Sequence, residues 1–192
     1  MRIFDKIFGK KQELQEQEIK TPRLKVSADT HFVEEFTNKG GKFLYCTKEE
    51  EVLEHLGHIF KENKWDTVYS FDKSLDSLLN VVSIIKSENA DVFFSKCEHL
   101  IVNDASILFS SNQLKEIKLA QYPINFIVFA KTSQLIHDKD DALTSIKHRF
   151  KDKIPSNISA IKDYSPNKKD SNFLNYGNNN SKNLYLLLLE DL

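Results

Sequence analysis

The sequence predicts an α/β fold with a mostly parallel sheet flanked by helices. Short, continuous apolar runs recur along the chain with helix-patterned segments between them. The runs do not alternate polar and apolar residues, so they read as strands covered on both faces. Forty per cent hydrophobic residues in 192, with 14 Phe, are enough for one substantial core.

The elements follow in order. Residues 1–11 set Ile3, Phe4, Ile7 and Phe8 at helical spacing against Arg2, Lys6, Lys10 and Lys11, which describes a short basic amphipathic helix. Residues 12–28 are polar and contain Thr21-Pro22. The division expected is therefore an N-terminal amphipathic segment and linker over 1–28 and a domain over 29–192. Residues 29–38 carry Phe32, Val33 and Phe36 on one helical face, and Gly40-Gly41 ends that helix. Residues 42–46 form a strand. Thr47-Lys48-Glu49-Glu50 has the spacing of a capping box, opening a helix with Val52, Leu53, Leu56, Ile59 and Phe60 on its apolar stripe. Strands are expected at 67–71, 91–94, 107–109, 126–129, 158–161 and 184–189, with helices at 75–79 and 140–150. Residues 172–183, with six Asn and Gly177, read as a loop.

Composition excludes several classes of function. Net charge is −1, so no overall field draws the chain to nucleic acid. The longest apolar run, 184–189, is far too short to span a bilayer. Residues 1–9 lack the apolar core of a secretory signal, so a cytosolic protein is expected. Two cysteines, Cys46 and Cys97, are too few for an iron–sulfur cluster and are expected as free thiols, Cys46 in a buried strand. Five glycines leave no room for a dinucleotide fingerprint or a phosphate-binding loop. No zinc-protease helix motif or nucleophile elbow is present. No cofactor and no metal are therefore expected.

Local clusters read as structure. His55 and His58 flank the stripe of their helix and belong to its polar face. Cys97-Glu98-His99 lacks a fourth ligand for a metal. His137-Asp138 reads as a turn, and Lys147, His148 and Arg149 as the basic end of a helix.

From about residue 90 the sequence resembles the lactate-utilization (LUD) family, through residues 97–109, 124–136, 154–161 and 183–191 in that order. The resemblance implies a three-layer fold like that of the sugar-isomerase and CoA-transferase superfamily. It implies a place in the oxidation of L-lactate to pyruvate, beside two iron–sulfur subunits as partners. Asn103-Asp104-Ala105-Ser106 stands where the family has an acidic–Thr–Gly–Thr turn, and the Ala removes the easy access to positive φ that Gly gives. Of the family's later Gly-Pro-Ser segment, Ser165 keeps its place. The expected ligand-binding residues are accordingly Asn103, Asp104, Ser106 and Ser165, beyond strand carboxyl ends, taking a small hydroxy acid or other anion. With no fingerprint for a hydride or electron acceptor, the chain is expected to be a non-redox accessory or ligand-binding component. The alternatives are an isomerase or acyl-transferase using a carboxylate such as Asp104 or Glu98, and a structural or interaction protein of the same fold.

Overall fold

The computed structural model describes residues 28–81, 85–87, 89–166 and 180–191. The amphipathic segment 1–11, nearly all of the polar linker and most of the Asn-rich loop lie outside the described residues.

Helix α1, Ala28–Asn38, is followed by β1, Lys42–Cys46, and α2, Glu49–Asn63. Next come β2, Thr67–Tyr69, a 3₁₀ turn at Lys73–Leu75, α3, Asp76–Val81, and β3, Ile85–Lys86. Strands β4, Val92–Lys96, β5, His99–Ile101, and β6, Ser106–Ser110, lead into the single turn α4, Ser111–Leu114. The chain continues through β7, Asn125–Lys131, β8, Leu135–Ile136, α5, Lys139–Arg149, β9, Ile158–Ile161, and β10, Asn183–Leu189.

Six strands form an all-parallel central sheet in the order β1-β10-β7-β4-β2-β3. One face is covered by α2, the 3₁₀ turn and α3, through Val52, Leu56, Ile59, Phe60, Leu75 and Leu79. The other is covered by α1, through Phe32 and Phe36, and by a second sheet of order β8-β5-β6-β9. In that second sheet β6 pairs antiparallel with both β5 and β9. Its outer face receives Ala142 and Ile146 of α5. The mostly parallel, helix-flanked sheet expected from sequence is present, and the small second sheet is an addition to it. Every residue of β6 is buried, so the strand shows no alternation that could have separated it from a parallel one.

The start of the domain is fixed by close packing. Gly40 has φ +91, and a Cβ there would lie 2.0 Å from Ser165 Oγ. At Gly41 a Cβ would meet the Phe36 ring at 2.3 Å, so the Gly-Gly pair lets β1 leave α1 directly beneath that ring. Phe36 in turn packs on Tyr164 with ring centroids 4.4 Å apart.

The α2 start differs from the expected capping box. Glu51, not Glu50, reaches back: its carboxylate accepts from the Thr47 backbone N–H at 2.6 Å. The Thr47 hydroxyl donates to the same carboxylate at 3.1 and 3.2 Å, with Lys48 as the N-cap residue. The helix begins one residue later than a Thr cap requires, which moves the reaching position from the third to the fourth residue. A capping box does form at α4. There Ser110 Oγ accepts from Asn112 N, and Gln113 Oε1 accepts from Ser110 N.

Lys115, directly after α4, is exposed and held at φ 53, ψ −149, a region natural to Gly alone. Lys115→Gly should stabilise the fold by about 1 kcal/mol and raise the melting temperature by roughly 2–4 °C. A thermal melt showing a lower Tm for the variant would contradict this backbone.

Candidate functional site

The residues picked from sequence fall in two places. Asn103, Asp104 and Ser106 belong to the turn between β5 and β6, where Asn103 is exposed and Ser106 fully buried. Asp104 Oδ1 accepts from the Ser106 amide at 3.2 Å and from its hydroxyl at 2.5 Å. Its Oδ2 accepts from Lys139 at 2.6 Å and faces Lys162 at 3.6 Å. Lys39 donates to the Asp104 carbonyl at 2.6 Å. Burial by itself would raise the Asp104 pKa. The hydrogen bonds from Lys139 and Ser106 and the Lys139 charge outweigh it and hold the carboxyl down at about 2. Both oxygens of Asp104 are thus engaged in fastening the turn.

Ala105 within this turn adopts φ +46 although it is not Gly. Tertiary contacts hold it there. Its carbonyl accepts from the buried Tyr164 hydroxyl at 2.5 Å, and its methyl is enclosed in the core. Ala105 thus holds, by tertiary contacts, a positive φ of the kind Gly adopts freely.

Ser165 is not brought to Asp104. Its hydroxyl donates to the Lys39 carbonyl at 3.1 Å, and it lines a separate cleft of about 520 Å³ with Lys42, Asn125 and Asn183. Those three residues begin β1, β7 and β10, so this cleft lies at the amino ends of the central strands.

The carboxyl ends converge elsewhere. After β2 the chain turns toward α3 on one face of the sheet, whereas after β4 it passes into β5 and β6 on the other. Because β2 and β4 are neighbours whose connections part to opposite faces, a crevice opens between their carboxyl ends, the place where open α/β sheets bind ligands. A cleft of about 290 Å³ occupies it, lined by Phe71, Asp72, Lys73, Ser95, Asn112 and Gln113. That is near the small end of the roughly 300–1,000 Å³ typical of ligand pockets.

Its walls are set by hydrogen bonds. Asp72 Oδ1 accepts from the Ser74 amide at 2.8 Å and hydroxyl at 2.6 Å. Lys96 donates to Ser74 Oγ at 2.6 Å and lies 3.7 Å from Asp72 Oδ2. Burial pushes the Asp72 pKa up, but the Ser74 hydrogen bonds and the Lys96 charge prevail and leave it lowered. Asp72 is therefore a carboxylate near neutral pH. The Lys115 ammonium stands 5.6 Å from the centre of the Phe71 ring. Lys73 lines the cleft, while Lys96 and Lys115 contact its lining residues Asp72 and Phe71, so three lysines stand near the one carboxylate of Asp72.

Behind the cleft, Gln113 is fixed by a buried carboxylate. Glu98, 1% exposed, accepts from Gln113 Nε2 at 2.9 Å and Ser110 Oγ at 2.7 Å, and pairs with Arg149 at 3.0 Å. Arg149 also contacts His99 Nε2 at 3.3 Å. Burial and then the Arg149 charge lower the His99 pKa, which keeps that ring neutral. Arg149 belongs to the basic last turn of α5, as the sequence suggested, and though exposed it also reaches Glu98 and His99. Burial pushes the Cys97 thiol well up and the Cys46 thiol, beside Glu51, up to about 12. Neither is a thiolate near pH 7, and both are free. Among the described residues no group of three or more His, Cys, Asp or Glu could hold a metal, and no helix is long and apolar enough to cross a membrane.

A solved structure shares this architecture. A DUF162 family protein from Deinococcus radiodurans superimposes with a TM-score of 0.60 at 9% identity, over 88% of this chain and 100% of that one. A ribose 5-phosphate isomerase A from Methanocaldococcus jannaschii aligns over 66% of this chain and 67% of that one, at 10% identity and a TM-score of 0.30. No curated protein matches the sequence. The family model described as the LUD domain matches residues 30–189. The chain belongs to the LUD domain family, which at the level of the family associates it with lactate utilization.

Proposed function

We propose that this protein is a non-redox, ligand-binding component of L-lactate utilization, holding L-lactate or a kindred small 2-hydroxy acid between β2 and β4. The observation that carries the reading is the polar cleft at the point where the connections of β2 and β4 part, lined by Lys73, with Lys96 and Lys115 in contact with its lining residues Asp72 and Phe71. A carboxylate is the natural guest of these lysines. The Asp72 carboxylate and the amides of Asn112 and Gln113 supply acceptors and donors for a neighbouring hydroxyl. The cleft is small, which favours a ligand of few heavy atoms over a nucleotide. Its residues include no thiolate, and the sequence lacks a dinucleotide fingerprint, so the electrons of lactate oxidation pass through partner iron–sulfur subunits. Asn103, Asp104 and Ser106 then serve the scaffold of the second sheet. The protein works in the cytoplasm.

Calorimetric titration tests the ligand class. L-lactate should bind, and lactamide, which keeps the hydroxyl and lacks the charge, should bind at least tenfold more weakly. Equal affinity for the two would remove the lysines from recognition.

A further inference from the structure

We infer a second ligand site on the outer face of the second sheet, shaped for a monocarboxylate with a short apolar tail. The sheet order is β8-β5-β6-β9, and α5 packs most closely on β5 and β8, reaching Leu108, Ile158 and Ala160 of β6 and β9 less fully. Cover thins toward β9, an edge strand whose Ile158, Ser159 and Ala160 are only half-buried. A pocket of about 390 Å³ lies there, lined by Leu108, Leu143, Ile158, Ser159, Ala160, Lys139 and Lys162. Leu108 and Ala160 are cross-strand partners and Ile158 stands two residues along the same face, so the floor is continuous and apolar. Leu143 of α5 forms the side wall and is 36% exposed, a large side chain without full cover.

The head of this pocket is cationic. Lys139 and Lys162 both approach one oxygen, Asp104 Oδ2, at 2.6 and 3.6 Å, so two ammonium groups share a single carboxylate. Lys39 adds a third ammonium on the Asp104 carbonyl. The acidic residues of the α5 first turn, Asp140 and Asp141, are not among those lining the pocket. A bound carboxylate would complete the charge balance between Lys139 and Lys162 while its tail lay over Leu108, Leu143, Ile158 and Ala160. The chain's own residues 1–11 are an unsuitable occupant, because Arg2, Lys6, Lys10 and Lys11 would meet those same lysines. The site is separate from the β2–β4 crevice, so neither depends on the other.

Octanoate is the probe, titrated into the full-length protein with the methyl resonances of Leu143 and Ile158 observed. Octanoate should shift both, and 1-octanol should bind at least tenfold more weakly. Lys162→Gln, a change at a half-exposed side chain, should weaken octanoate about tenfold, and Leu143→Ser should weaken it severalfold. Lys96→Gln should leave octanoate binding unchanged. Equal binding of octanol and octanoate would overturn the proposal, as would an unaltered affinity in a folded Lys162→Gln protein or the absence of any shift at millimolar octanoate.

Discussion

Replacing Arg149 by Ala should destabilise the protein by about 3 kcal/mol, lowering the melting temperature by roughly 6–12 °C. The Glu98 side chain is 2% exposed and the Arg149 side chain 46% exposed. Removing the arginine leaves a carboxylate inside the protein with only the neutral donors Ser110 and Gln113. Breaking a buried pair costs about 3–5 kcal/mol, and the lower end applies because Arg149 is partly solvated and water can enter the space it leaves. The double variant Glu98→Gln, Arg149→Met should recover most of the loss, since no buried charge is then left alone. A double variant as unstable as Arg149→Ala would mean that packing, not charge, holds this junction. Because Gln113 takes its position from Glu98, Arg149→Ala should also weaken lactate, although Arg149 is not among the cleft-lining residues.

Stability measured against pH should reveal Lys182. This lysine is 3% exposed, and its ammonium donates to the carbonyls of Tyr122 and Pro123 at 3.1 Å each, 5.1 Å from the centre of the Phe126 ring. Burial pushes its pKa down to about 8 from an ordinary 10.5. A neutral amine has two N–H groups for those two carbonyls, so the uncharged form suits the site. Between the folded and unfolded pKa values the unfolded chain binds the extra proton, and stability due to this group therefore rises with pH. From pH 8 to 9.5 the wild type should gain about 2 kcal/mol relative to Lys182→Met. The comparison with the variant is needed because the buried thiols act the other way. Their folded pKa values are raised, so they withdraw stability as the unfolded chain ionises above about pH 9. Parallel curves for the two proteins would show that Lys182 is charged in the fold at no cost.

Most of the longer strands of both sheets could be read from the chain. Lys42–Cys46 and Ile158–Ile161 fall at the expected residues, and β4, β6, β7 and β10 differ by one to three residues at their ends. Periodicity could not separate the two sheets. Strands β5 and β6 are buried throughout, so antiparallel partners carry the same continuous apolar signature as parallel ones. Strand β5 was also hidden behind Cys97-Glu98-His99, a polar run that the fold buries: Arg149 pairs with Glu98, and Gln134 donates to the Cys97 and Glu98 backbone carbonyls. The Asp104–Ser106 pair could be found because it is local. Asp72, Lys73, Ser95, Asn112 and Gln113 could not, since nothing in the local sequence marks them and only the parting of the β2 and β4 connections gathers them. The one local trace of that site was the Ser110-to-Gln113 spacing of a capping box.

The central claim is that a small 2-hydroxy acid sits between the carboxyl ends of β2 and β4. The most direct measurement is an amide NMR titration of the full-length protein with L-lactate, repeated on Lys96→Gln. The account predicts saturable shifts at Phe71, Asp72, Lys73, Asn112 and Gln113, and at least a fivefold loss of affinity in the variant. Shifts centred on Asp104 or Ser165 with these five amides unmoved, or no shifts at millimolar L-lactate, would contradict it.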